Sequence, residues 1–201
     1  MRSVLITGIL AGIMIDGCQR VSEDVARTIE EAKKNEIKII LPSPAQIANA
    51  YRKAGLKYIS GVTLPLDKPA PASPVQKKIY YGMLAADFAY CAFTKQLDMG
   101  KSYYAKIIEL TRELEPELEQ EFKSYAQSYE NNYDKLDSII ILFAKIQEKL
   151  DENIELMRKY QNKIAYFIGG WIESMYLGAN ASPPSNPEIT SLIKEQFIIM
   201  E

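Results

Sequence analysis

The chain has 201 residues, 47% apolar and 25% charged, with a formal charge of −2, the length and balance of one ordinary globular domain. Acidic and basic residues are interspersed, so no nucleic-acid partner and no charge-driven tail is expected. The absence of histidine excludes a Ser-His-Asp triad, histidine-ligated zinc, a proximal-histidine haem and an imidazole base.

Residues 1–18 read MRSVLITGILAGIMIDGC, with Arg2 followed by an uncharged stretch from Val4 to Ile15. Twelve residues are too few to cross a ~30 Å hydrocarbon core as a helix, but they suit the apolar region of a secretory signal. Ile15 and Gly17 stand at −3 and −1 from Cys18, the arrangement of a lipobox. We therefore expect a signal peptide over 1–17, lipidation of Cys18 and attachment to a membrane through that lipid. Asp16 departs from the small uncharged residue usual there and weakens the expected processing. The alternative is a leader cut elsewhere, or an apolar N-terminal segment packed on the domain. With Cys18 acylated, Cys91 is left without a disulfide partner; with Cys18 free, a Cys18–Cys91 bridge is conceivable in an oxidising periplasm. Cys91 itself reads as a small buried apolar residue.

Residues 18–35 read as a tether with one short helix, carrying Val21, Val25 and Ile29 at every fourth position. An extended segment follows at 36–41, opening a single domain that runs from 36 to 201. Ser43, Pro44 and Gln46 supply an N-cap, a first-turn proline and a capping-box partner, and Gly55 is placed to end that helix. Four prolines between 65 and 74 (Pro65, Pro69, Pro71 and Pro74) mark an ordered loop over 56–76.

Residues 77–97 are apolar nearly all round, as befits the middle helix of a bundle. Over 102–123, Tyr103, Ile107, Leu110, Leu114 and Leu118 form one stripe, and Pro116 is expected to kink or split the helix. A second stripe runs through Leu136, Ile139, Ile140, Phe143, Ile146, Leu150, Ile154 and Met157. A helix over 161–178 carries Ile164, Phe167, Ile168, Trp171 and Met175, with the sole tryptophan expected in the core. Asn186, Pro187 and Glu188 start a last helix that reaches Glu201 without a cap, which reads as a truncated end. The fold class is all-α, a helical bundle of about five or six helices.

Two carboxylates stand out. Asp87 shares a stripe with Tyr80, Met83, Leu84, Cys91 and Thr94, all within about 60° of it at 100° per residue. A carboxylate aimed inward must find donors or take a proton. Glu173 lies opposite the apolar stripe of its helix, on a face with Tyr166, Gly169, Gly170 and Leu177. One reading places Asp87 and Glu173 in an interior polar pocket with Tyr90, Tyr166 or Tyr176, a pair able to run the acid–base chemistry of a carboxylate-dependent hydrolase. The favoured reading is a hydrogen-bonded pair that fixes helix register. The thirteen tyrosines at helical spacing read as core residues with hydroxyls at the surface rather than as a binding platform; were there an exposed aromatic face, Tyr125, Tyr129 and Tyr133 would be its best candidates. Nucleotide, calcium, zinc-finger and nucleophile-elbow motifs are absent; no metal, cofactor or catalytic residue is expected.

The segments LPSPAQIANAYRKAGLKY (41–58), YGMLAADFAYCAFTKQ (81–96) and GGWIESMYLG (169–178) resemble an uncharacterised family of helical lipoproteins from gut-type Gram-negative bacteria. The matching motifs are Ser43-Pro44, Ala86-Asp87 with Tyr90, and Trp171-Ile172-Glu173-Ser174 with Tyr176. Met83 to Ala85 differ, the family more often having leucine, glycine and an aliphatic residue. The resemblance spans roughly 41–197 and implies a lipid-anchored helical bundle of the cell envelope, facing the periplasm or the exterior. Family members usually continue for one more helical stretch. It carries no activity. The expected function is therefore binding or scaffolding, with a protein or small molecule of unknown identity as partner.

Overall fold

The computed structural model describes residues 42–156, 160–181 and 186–199. Their helices are α1 (Pro44–Lys53), α2 (Pro74–Phe93), α3 (Leu97–Leu114), α4 (Glu119–Asn132), α5 (Leu136–Leu156), α6 (Tyr160–Asn180) and α7 (Pro187–Ile199), with a 3-10 turn at Pro116–Leu118. No strand occurs among the described residues. The fold is the all-α bundle that the periodicities demand. The leader, Cys18, the tether and the 36–41 segment lie outside the described residues.

Helix ends follow local chemistry. At α1, Ser43 donates its N–H to the Gln46 side chain at 2.7 Å while its hydroxyl accepts from the Gln46 amide at 3.3 Å, the reciprocal capping box. The helix closes with Gly55 at φ +89°, the Gly55 N–H on the Arg52 carbonyl and the Leu56 N–H on the Tyr51 carbonyl. That is a Schellman ending, for which glycine is the unstrained residue. The same pair of bonds ends α2, from the Lys95 N–H to Ala92 and from the Gln96 N–H to Cys91, but there Lys95 takes φ +62°. No glycine announces the stop, so the helix ends at Phe93 instead of running to 97. It also begins three residues before the expected 77, because Pro74 sits at the first helical position, where its missing N–H costs nothing. Pro116 splits the expected 102–123 helix into α3 and α4. That division raises the helix number above the expected five or six.

α2 is the hub. Leu84, Ala86, Phe88, Ala89, Tyr90 and Cys91 are all buried on it, and it packs against α6 most extensively, then α3, α1 and α5. The α2–α6 crossing rests on glycine. A methyl built on Gly82 would overlap the Tyr166 carbonyl oxygen and lie 2.7 Å from the Gly170 nitrogen; one on Gly169 would overlap the Ile79 carbonyl. The two backbones therefore touch, as only helices with small residues at the crossing can.

This contact reverses the expected orientation of α6. Its buried face is Ala165, Gly169, Gly170, Glu173, Ser174, Leu177 and Gly178, while Ile164 is 56% exposed and Phe167, Ile168 and Trp171 are half-buried. Met175 is the one member of the expected stripe that is buried. Trp171 instead stands edge-on to Phe197 of α7, ring centroids 5.1 Å apart. The apolar stripe of α6 thus faces α7, a short helix that only partly covers it.

One other expectation is corrected, on α5, while the α4 tyrosines take the core place favoured for aromatics at helical spacing. On α5 the inward residues are Ile139 and Leu142, with Phe143 and Ile146 half-buried, while Ile140 is exposed. Leu150 and Ile154 lie on the backbone of α5, and Met157 lies outside the described residues. On α4, Tyr129 is 1% exposed and packs edge-on to Phe88 at 5.0 Å; Tyr125 and Tyr133 are half-buried. Tyr129 fits because Gly100 of α3 leaves room for its ring. The tyrosines of α4 are core and flank, not an exposed platform.

Candidate functional site

Asp87 sits at the middle of the hub helix and is fully buried, 0% exposed. α2 presents the 80/84/87/91 line toward the crevice that α3 and α6 share with the loop between α1 and α2. The donor that meets the carboxylate comes from a loop and not from another helix. The backbone N–H of Leu64, in the loop, donates to Asp87 Oδ2 at 3.0 Å. Asp87 Oδ1 has no hydrogen bond among the described residues, and neither has the buried hydroxyl of Tyr80, earlier on the same face of α2.

Glu173 arrives from α6 and is 4% exposed. The glycine crossing puts it there: Gly169 and Gly170, one turn before it, hold α6 against α2, and its own face is consequently the one turned inward. Burial pushes the Asp87 carboxyl up to about 8, with the negative charge of Glu173 adding to the rise and the Leu64 amide opposing it. Burial likewise lifts Glu173 to about 7. Desolvation penalises the charged form of each, and for Asp87 the like charge of Glu173 penalises it further. Near neutral pH the pair holds at least one proton, and its titration belongs to the pair.

Three tyrosines are candidates to complete this pocket, and the structure separates them. Tyr90 is beside it: its hydroxyl accepts from the Ile59 N–H at 2.7 Å and donates to the Lys57 carbonyl at 2.9 Å, and its ring stacks on Tyr58. Burial lifts its hydroxyl to about 12. Tyr166 belongs elsewhere. It donates to Glu115 Oε1 at 3.0 Å and meets Tyr81 edge-on, fastening α6 to the end of α3. Tyr176 is 48% exposed and lies outside the pair's surroundings.

A residue whose sequence pattern marks it only as core completes the arrangement. The Tyr103 hydroxyl donates to the Leu64 carbonyl at 2.6 Å, so the Leu64 residue is gripped through both its backbone polar groups, by α2 and by α3. The signal is present in the residue type: a tyrosine on a buried stripe needs a partner for its hydroxyl. Which partner it finds is not written locally, because Leu64 is 39 positions away. Cys91, one turn below Asp87, is a buried free thiol, pushed up to about 12 by burial and the neighbouring carboxylate; a thiol held that firmly protonated is no nucleophile.

The site is thus two buried carboxyls from α2 and α6, one of them bonded to a loop pinned at Lys57, Ile59 and Leu64. Among the described residues no group of three or more acidic, Cys or His side chains gathers to hold a metal ion. Surface hollows between α4 and α5, lined by Ser124, Tyr125, Ser128 and Ile141, and beside α7, lined by Thr190 and Lys194, do not include the carboxylates. The arrangement can carry a proton and hold a loop amide. No family model matches the chain, and no curated protein or solved structure matches it.

Proposed function

We propose that the chain is a lipid-anchored protein of a bacterial cell envelope, held by acyl groups on Cys18 and presenting a helical domain that works by binding or scaffolding. The observation that carries the reading is the leader: an uncharged run too short to span a bilayer, followed by Ile15-Asp16-Gly17-Cys18. Among the described residues no helix is long and apolar enough to cross a membrane, and this reading assigns attachment to the lipid, where two or more acyl chains give stable anchoring. The resemblance to helical envelope lipoproteins points the same way and places the domain toward the periplasm or the exterior. The burial of Asp87 and Glu173 favours binding or scaffolding over a carboxylate-dependent hydrolase, whose acids must reach a glycosidic oxygen and a water.

Cys18→Ser is expected to move the protein from the membrane fraction to the soluble fraction and to abolish labelling by a radioactive or clickable fatty acid. A variant that stays labelled and membrane-bound refutes the anchor.

A further inference from the structure

The loop between α1 and α2 is fastened at two places separated by a glycine. One is Lys57–Ile59, gripped by the Tyr90 hydroxyl; the other is Leu64, gripped by Asp87 and Tyr103. Gly61 lies between them at φ +85°, with open space around its α-carbon. At the second fastening the Asp87 carboxylate has one oxygen lacking any hydrogen bond among the described residues, and the charge of the buried Glu173 from another helix acts on it. Of the elements packed around Asp87, the helices are held by extensive contact and, for α2 and α6, by touching backbones. The loop is held by these hydrogen bonds and by Leu56, Tyr58, Val62, Leu64 and Leu66 packed on the core, but it has no helix of its own to brace it.

We propose that residues 56–66 form a proton-operated latch: they stay closed while the Asp87–Glu173 pair is protonated, and they open to admit water when Asp87 ionises.

The groups that face Asp87 from each neighbouring element support this. α2 contributes Tyr80, Tyr90 and Cys91, α3 contributes Tyr103, and α6 contributes Glu173. The tyrosines and the thiol are neutral across the physiological range, and the remaining group is acidic. Lys106, whose charge acts on the Tyr80 hydroxyl, is paired with Glu109 at 2.7 Å. Among the described residues no ion pair reaches Asp87 itself. Among the described residues a charge there is relieved only by the Leu64 amide and by whatever water reaches it, and a buried carboxylate without an ion pair is costly. The Leu64 amide favours the ionised form, but a single hydrogen bond is outweighed by the desolvation and by Glu173, which are the larger effects on this carboxyl.

The direction follows from the two states. In the closed state Asp87 holds its proton to about pH 8; in the open, hydrated state it returns to the ordinary carboxylate range near 4. Opening thus becomes easier as pH rises from about 4 to about 8 and levels off above that.

Amide hydrogen exchange on the full chain tests this, with each rate divided by its intrinsic value at that pH. The protection of the Leu64 amide is expected to fall at least tenfold between pH 5 and pH 8, while that of Leu110 in α3 holds. Asp87→Asn, which keeps an acceptor for the Leu64 N–H and cannot ionise, is expected to abolish the fall. Should Asp87→Asn not fold, Glu173→Gln serves: it removes the neighbouring negative charge, lowers the pH at which Asp87 ionises, and shrinks the fall. Leu64 protection constant within twofold across this range overturns the latch. So does a parallel loss at Leu110, or a variant in which the fall persists unchanged.

Discussion

Asp87 and Glu173 make the energetic case for reading single residues by their surroundings. Each has its carboxyl raised in the folded state, so each contributes stability that is fully present below its unfolded value and is lost as pH rises through its folded value. For Asp87 the window runs from near 4 to about 8, and for Glu173 from about 4.5 to about 7. Where both are losing protons on unfolding, each adds a slope of up to about 1.4 kcal/mol per pH unit. Urea unfolding is therefore expected to give a midpoint that falls steadily from pH 5 to pH 7.5. Asp87→Asn is expected to flatten that slope and to exceed the wild type in stability at pH 7.5. Asp87→Ala is expected to lose about 1–3 kcal/mol against Asp87→Asn, because the Leu64 N–H then has no acceptor. A wild-type midpoint that rises over this range shows the pair to be ionised in the folded protein.

At the scale of elements, the α2–α6 crossing decides the most. Gly82, Gly169 and Gly170 sit at the crossing, and methyl groups on Gly82 and Gly169 would meet backbone atoms of the opposite helix, which cannot turn aside as a side chain can. In an isolated helix, exchanging glycine for alanine gains up to about 1 kcal/mol in propensity. Here Gly82→Ala is expected to lose about 1–3 kcal/mol net, since overpacking forces the helices apart, and to lower the melting temperature by several degrees. A melting temperature at or above that of the wild type shows that the two backbones do not touch in solution. The same crossing accounts for α6 presenting a polar, glycine-bearing face to the core and its large apolar residues to α7. Tryptophan and isoleucine do not win the interior when glycine permits the closer approach.

For the molecule as a whole, α2 touches α1, α3, α5 and α6, and α7 attaches through α6 and α1. The Asn186 side chain reinforces this, donating to the Ala54 carbonyl at 2.8 Å while its oxygen caps α7 by accepting from Glu188 and Ile189. With one hub shared by four of the six other helices, and α4 and α7 attached through those, the described part of the bundle is expected to melt as one unit. Trp171 fluorescence, which reports the α6–α7 edge, is expected to change at the same denaturant concentration as far-UV circular dichroism. Separated transitions would place α7 outside the cooperative unit.

Much of this organisation is set by short-range chemistry. The all-α class follows from apolar residues recurring at three and four, the start of α1 from Ser43-Pro44-Gln46, the break at Pro116 from a missing N–H, and the interior place of α2 from a helix without a polar side. The inward aim of Asp87 follows from its neighbours at −7, −4, −3, +4 and +7. Each of these depends on residues within about two turns of one another, which a linear reading can weigh. The tertiary structure alone decided which face of α6 is buried, that Leu64 is gripped by Asp87 and Tyr103, and that Tyr129 fills the space left by Gly100. Those outcomes depend on how closely two backbones approach and on partners 23 to 39 positions apart. Hydrophobicity ranks side chains by their cost in water. It does not record the van der Waals attraction between two helices that glycine allows to touch, nor where a loop amide comes to rest.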